Sequence, residues 1–277
     1  MPQAVSHTAR RVNGRASGKF QLAVMVSPYL MYLQTEAVVL KKVDFSESSL
    51  VLTLFSRNHG KIRALAKGGR RIKGPFESAL DLMSHILVTY IPKRGDALDL
   101  LTESKLVRRF RPGRDNFGGM YAGFYLIELL NEMTIEQEPM PELFDAAVMA
   151  LSQLMTEQPV MPTVLRFEWQ LLELTGHFPS LDFCVHCDGE IDHTQRRITF
   201  GHIDGGVICP NCLPGTQQVS MITPELIKEI KRMAGGERPV AGYQPLAPNP
   251  MRALLNPYIS HLIGKRPVMF DYFKKMS

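Results

Sequence analysis

All four cysteines of the chain fall in one motif: Cys184-Val-His-Cys187, a spacer of twenty-one residues, then Cys209-Pro-Asn-Cys212. Two CxxC knuckles at this separation bring four thiolates to the corners of a tetrahedron, the arrangement a structural zinc ion requires. The spacer is slightly longer than the roughly 15 to 20 residues usual between paired knuckles, a stretch that a ribbon hairpin absorbs. A site closed by four sulfurs leaves no position for water, so such an ion folds the chain and does no chemistry. The motif therefore fixes a local zinc ribbon and points away from metal catalysis.

Two alternatives stand beside zinc. Disulfides would need an oxidising compartment, and the sequence has no h-region or small-residue cleavage site that points to one. A redox-active CxxC pair would leave the second knuckle unexplained. His186, His193 and His202 lie close enough to replace a cysteine as ligand, and we read them as ordinary ribbon residues.

At 277 residues the chain is long enough for two domains, each with its own core. A 45% hydrophobic content and a mean hydropathy of −0.06 suit a soluble protein, and no apolar run approaches a membrane span. A cytoplasmic, nucleoid-associated protein is expected. The net charge of +5 hides an uneven distribution. Residues 33–110 hold fourteen cations against eight acids, whereas residues 115–183 hold eleven acids and one cation, Arg166. A basic module joined to an acidic one implies that only the first meets a polyanion.

Residues 1–31 look least like folded structure. Arg10, Arg11, Arg15 and Lys19 sit among small polar residues with no acid, a composition that resembles a transit peptide. The favoured reading is a disordered basic extension, or sequence upstream of a true start at Met25 or Met31.

From Leu33 the pattern becomes β. Thr35–Leu40 and Leu50–Phe55 are rich in branched residues, Arg57-Asn58-His59-Gly60 supplies turn chemistry, and Lys61–Lys67 alternates cations with apolar residues. Leu82–Ile91 and Ala97–Arg108 complete five short strands, which predicts a small closed barrel over residues 32–112. Between the third and fourth strands, Lys67-Gly68-Gly69-Arg70-Arg71-Ile72-Lys73-Gly74-Pro75 packs four cations into seven residues. Its glycines let the backbone follow a ligand, so the loop reads as a phosphate contact on a nucleic-acid-binding barrel, with Lys93 and Arg94 adding charge. Phe45, Phe55, Phe76 and Tyr90 are possible stacking partners, and the reading favoured for all four is core packing.

After Arg114 the period changes to that of a helix. Helices are predicted over Phe117–Met133, Pro141–Met155 and Pro162–Leu174, and another opens at Thr223-Pro224 with Thr223 as N-cap. A last one spans Met251–Ile263 around Pro257 and stops at Gly264. The ribbon, at residues 181–215, is thus inserted in a helical domain over residues 113–277, where it braces the helices on either side. The fold class is α+β. Catalytic signatures are lacking: the sequence has no GxxxxGK[ST], HExxH or GxSxG, and no GxGxxG after a strand, so an enzyme is not expected.

The residues that carry a family resemblance are Glu36–Leu40, Phe45–Ser49, His59–Lys61, Ala66–Gly68, Gly205–Cys209 and Tyr258–Pro267, in that order and with the cysteine spacing. Together they resemble RecO, the bacterial family of recombination mediators, from about residue 31 to the end. Residues 1–30 have no counterpart in that family, and not all its members keep the cysteines. The resemblance implies an OB-fold, a helical domain with a zinc site, binding to single- and double-stranded DNA, and annealing of complementary strands. It further implies work with RecR in replacing single-strand binding protein by RecA.

A barrel carrying Arg57, Lys61, Arg63, Lys67, Arg70, Arg71, Lys73, Lys93 and Arg94 agrees with sequence-independent, salt-sensitive binding, with Lys41 and Lys42 as weaker candidates. The acidic domain is expected to carry protein contacts, with Arg166 a candidate for meeting the acidic tail of single-strand binding protein. The competing reading is a zinc-ribbon interaction scaffold, such as a transcription-associated one, that touches nucleic acid incidentally.

Overall fold

A computed structural model describes residues 31–71, 75–76, 79–95, 97–111, 116–156, 159–234 and 248–273. Five strands, β1 (Leu33–Asp44), β2 (Leu50–Ser56), β3 (Gly60–Ala66), β4 (Ser84–Ile91) and β5 (Asp99–Arg109), close into a barrel in the order β1-β2-β3-β5-β4. This is the five-stranded barrel of an OB-fold. Alternation along the strands sorts side chains into two sets. Ala37, Val39, Leu52, Leu54, Ile62, Ala64, Ile86 and Val88 fill the interior, and Phe76, Ala79 and Leu80 from the β3–β4 connection join them.

Closure depends on the parallel pairing of β3 with β5, which spans only Ala64–Asp99, Leu65–Leu100 and Ala66–Leu101. A register shift between Val39 and Lys41 marks a bulge at Leu40. Val38 and Leu40, alternating with the interior Ala37 and Val39, face outward and enter the core shared with the helices, and the extra residue puts Lys41 on the outside as well.

The helical domain is built from α1 (Phe117–Met133), α2 (Pro141–Leu154), α3 (Val160–Leu174), α4 (Pro224–Ala234), α5 (Pro248–Leu262) and the short α6 (Phe270–Phe273). Asn116 caps α1 by accepting a hydrogen bond from the Gly119 amide at 2.7 Å, and its own amide donates to the Leu154 carbonyl at 3.1 Å. One side chain thus satisfies both the start of α1 and the end of α2. Where the sequence pattern opens the third helix at Pro162, the helix begins two residues earlier, and Pro162 sits in a first turn that needs no donor from it.

Among the described residues, several contacts join barrel to helices. Phe55 on β2 packs against Phe144 on α2 with ring centroids 6.2 Å apart, Met83 lies against Gly123 of α1, and the α1–α2 connection docks on the start of β3. There the Gln137 amide donates to the Lys61 carbonyl at 3.0 Å. Gly60 has φ +65°, and a Cβ on it would overlap the Glu138 backbone. Only glycine meets both demands.

The ribbon sheet holds β6 (Ile198–Gly201), β7 (Gly206–Ile208) and β8 (Val219–Ile222) in the order β7-β6-β8, so it runs on to Ile222. Its residues Leu181, Cys184, Ile198, Phe200, Val207 and Ile222 belong to the same continuous core as the helices. The Phe200 ring meets Tyr258 of α5 at 5.8 Å edge-on, and the Tyr258 hydroxyl donates to the His177 carbonyl at 2.7 Å. Deeper in the domain, Glu168 of α3 is fully buried and accepts hydrogen bonds from Tyr125 of α1, at 2.5 Å, and from Arg252 of α5.

Candidate nucleic-acid interface and metal centre

The outer face of the barrel away from the helices follows from register. Lys41, Thr53 and Arg63 lie side by side across β1, β2 and β3, and Val43, Val51 and Leu65 form the next row. The β1–β2 turn, residues 45–49, borders this face at one end. That turn is tied to the start of the β3–β4 loop, because the Arg70 amide donates to the Ser48 carbonyl at 3.1 Å and its Nη1 to the Ser46 carbonyl at 3.3 Å. The β4–β5 loop borders the other end, anchored where the Lys93 amide donates to Asp99 Oδ1 at 2.7 Å. Burial raises the Asp99 carboxyl above its ordinary range, and this backbone bond opposes the shift. In an OB-fold the β2–β3 face between these two loops is where oligonucleotides lie.

In the ribbon, the four cysteine sulfurs lie within 4.8 Å of one another, and Cys187 Sγ and Cys209 Sγ are 3.8 Å apart. With metal–sulfur bonds of about 2.3 Å, a tetrahedron of thiolates has an edge of about 3.8 Å, so the group fits such an ion and is compatible with zinc. The knuckles are pre-shaped by backbone: Asp188 N–H donates to the Cys184 carbonyl at 2.9 Å, and Cys212 N–H to the Cys209 carbonyl at 3.1 Å. The Cys209 amide also points at Cys184 Sγ, 3.3 Å away. Burial disfavours the Cys184 thiolate, but amides of Cys209, His186 and Cys187 outweigh it and bring the thiol down to about 6. Hydrogen bonds with Cys209 and Cys187 push Cys212 up to about 12. Four thiols this close cannot all ionise unless a cation joins them. None of the three nearby histidines enters the group: His186 lies 3.2 Å from Asp204, His193 lies 3.1 Å from Asp182, and His202 meets Ser220 at 2.7 Å.

Sequence comparison matches residues 31–110 to "Recombination protein O N terminal" and residues 114–268 to "Recombination protein O C terminal". The DNA repair protein RecO of Rhodopirellula baltica is 42% identical over 198 residues, 72% of this chain and 73% of that protein. The DNA repair protein RecO of Myxococcus xanthus is 30% identical over 244 residues, 87% and 96% of the two chains. The chain belongs to the RecO family. This is a family of DNA repair and recombination proteins, and the barrel, the helices and the cysteine group match the architecture expected from the sequence. No helix among the described residues is long and apolar enough to cross a membrane.

In this RecO-family chain the nine candidate cations do not act as one surface. Arg57 and Lys61 turn to the helical domain. Arg57 forms a two-point ion pair with Asp145 of α2, at 2.7 and 3.0 Å, which raises its pKa. Lys61 Nζ donates to the Asn131 and Thr134 carbonyls at 2.7 and 2.6 Å, capping the C-terminal end of α1, and its burial lowers its pKa. Arg63 is exposed on the β2–β3 face with Glu136 at 3.8 Å. Lys67, Arg70 and Arg71 gather beside the β1–β2 turn. Arg70 reaches Asp44 at 3.3 Å, whereas Lys67 and Arg71 are exposed without an acidic partner among the described residues. Lys93 and Arg94 stand exposed on the β4–β5 loop, and Lys73 lies outside the described residues.

Of the weaker candidates, Lys41 is exposed on the face and Lys42 pairs with Asp81 at 3.2 Å. Arg166 is half-buried on α3, where burial and the neighbouring Arg232 lower its pKa. Phe55, Phe76 and Tyr90 are core residues as expected, at 0%, 4% and 3% exposure, but Phe45 is 64% exposed. The sequence carries only a hint of this for Phe45, which follows a strand directly and is flanked by Asp44 and Ser46.

Proposed function

We propose that the protein is a recombination mediator without a catalytic step. In this reading it binds single- and double-stranded DNA on the open barrel face and anneals complementary strands. With RecR it helps load RecA onto DNA coated by single-strand binding protein. The observation that carries the reading is the cluster of exposed cations at both ends of the β2–β3 face, on a chain of the RecO family. Lys67, Arg70 and Arg71 at one end, Arg63 in the middle, and Lys93 and Arg94 at the other are spaced to track a phosphate backbone, with Lys73 added on sequence grounds. The Arg70–Asp44 and Arg63–Glu136 pairs are exposed and weak, so phosphates can displace the acids. Arg57 and Lys61 serve to hold the two domains together.

Annealing then needs no reacting group. Each phosphate neutralised by a cation releases condensed counterions, two screened strands can meet, and base pairing supplies the free energy. The acidic helical domain repels DNA and is left for protein partners, with Arg166 a candidate contact for an acidic tail. One structural zinc ion on Cys184, Cys187, Cys209 and Cys212 supports that domain.

Fluorescence anisotropy with a labelled single strand over a salt series tests the reading. The parent should bind with a steep salt slope, and Arg70→Glu with Arg71→Glu should weaken binding to all sequences and flatten the slope by about 0.7 for each phosphate no longer neutralised. A flat salt response in the parent would instead support an interaction scaffold.

A further inference from the structure

Phe45 is the one of the four candidate aromatics that is open to solvent, at 64% exposure, and its turn is closed by hydrogen bonds. Its amide donates to the Ser49 carbonyl at 3.1 Å, Ser46 N–H donates to the same carbonyl at 3.3 Å, and the Ser46 hydroxyl accepts from Ser49 N–H at 3.2 Å. Arg70 clamps the turn from the neighbouring loop through Ser46 and Ser48. A phenyl ring held on a pre-shaped turn loses little freedom on meeting a ligand.

The surroundings define that ligand. Phe45 continues the outward series Lys41, Val43 along β1, next to the row Val43, Val51 and Leu65, so one side of the ring's neighbourhood is apolar and flat. The β3–β4 loop that Arg70 ties to this turn also carries Lys67 and Arg71, exposed and without an acidic partner among the described residues. Glu47, exposed in the turn itself, disfavours phosphate beside it, so the cations of the neighbouring loop are the better phosphate contacts. A ligand that joins a flat π-face to a phosphate is a nucleotide within a strand.

We propose that Phe45 is a base-stacking platform that makes this face prefer single-stranded over duplex DNA. The proposal rests on the nucleic-acid reading of the barrel. A duplex keeps its bases stacked on one another and has no free face to offer, whereas a single strand does. Stacking engages the face of the base and leaves its pairing edge free. A strand held this way is still readable by its complement, which is what annealing demands.

Three variants test it against oligo(dT) and a duplex of equal phosphate number. Phe45→Ala and Phe45→Leu should each raise the Kd for the single strand about tenfold, while duplex affinity changes by less than about twofold and the salt slope is unaltered. Phe45→Trp adds an exposed indole to a chain whose single tryptophan, Trp169, is fully buried, and its fluorescence should be quenched by oligo(dT) and not by the duplex. Melting temperatures should match the parent, since the ring supports no core. Equal loss of single-strand and duplex binding, a leucine variant that binds like the parent, or an unquenched indole in a bound complex would each overturn the proposal. Normal DNA binding with lost association to RecR would make Phe45 a protein-docking residue and overturn it likewise. A parent that fails to bind DNA overturns the functional reading itself, a different result from a parent that binds and variants that match it.

Discussion

Arg57 grips Asp145 through two parallel hydrogen bonds, Nε to Oδ1 and Nη2 to Oδ2, across 88 residues of sequence. A fork-to-carboxylate pair fixes orientation as well as distance, so it sets the angle between the β2–β3 turn and α2. Its side chains remain 41% and 55% exposed, and water screens the attraction. Asp145→Asn should therefore cost no more than about 1 kcal/mol in urea denaturation. The same change releases a guanidinium at the edge of the barrel, and single-strand affinity at low salt should rise slightly.

Gly60 offers a sharper test of how the domains meet. Alanine there must hold a positive φ and displace the Glu138 backbone from the start of β3. The conformational part alone costs about 1–3 kcal/mol, and the overlap adds to it. Gly60→Ala should lower the melting temperature by several degrees and loosen the α1–α2 connection, seen as faster proteolysis near Glu138.

The metal group predicts a loss confined at first to the helical domain. Cys187 is exposed and Cys184 is buried in the core, so Cys187→Ser is the cleaner substitution. We expect the parent to carry about one zinc ion per chain by elemental analysis, and the variant much less. Several kcal/mol of stability should go with the ion, since metal binding and ribbon folding are one process. DNA affinity per folded molecule should persist.

Acid should weaken the ribbon through a buried histidine. Burial lowers the pKa of His202 below its ordinary 6.5, and its Nε2 meets the Ser220 hydroxyl that joins β6 to β8. Between the lowered value and 6.5 the unfolded chain carries a proton that the folded chain lacks. Stability is therefore full above the unfolded value and falls as the pH drops below it. His59, whose pKa burial also lowers, contributes with the same sign. The melting temperature should drop between about pH 7.5 and about pH 5.5, and His202→Gln should lose part of that drop while the share due to His59 remains.

Much of the fold was legible because it rests on local rules. Two-residue alternation gave the five strands, Thr223-Pro224 gave the start of α4, and cysteine spacing gave the metal group. The bulge at Leu40 was not legible, because a register shift exists only relative to β2. The charge map could not show that Arg57 and Lys61 have partners within the chain, for a similar reason. Their partners, Asp145 and the last turn of α1, lie 70 or more residues away, and a surplus counted within a segment cannot reveal which charges another segment neutralises. Phe45 parted from the other three aromatics on exposure alone, which strand pattern hints at and only packing decides.

The barrel is sewn unevenly. β4 and β5 share eight register positions, whereas β3 and β5 meet at three, with Asp99, Leu100 and Leu101 along the join. That short seam runs beside Arg63 and the β4–β5 loop, which with Glu136 line one small cleft. A cylinder opens first along its shortest stitching, so amide hydrogens there should exchange before those of β1, β2 and β4. On the proposed reading of this face as a DNA path, its width is adjustable by breathing of the barrel wall itself. Purines and pyrimidines need different room, and a wall that yields on one side can hold either without choosing between them.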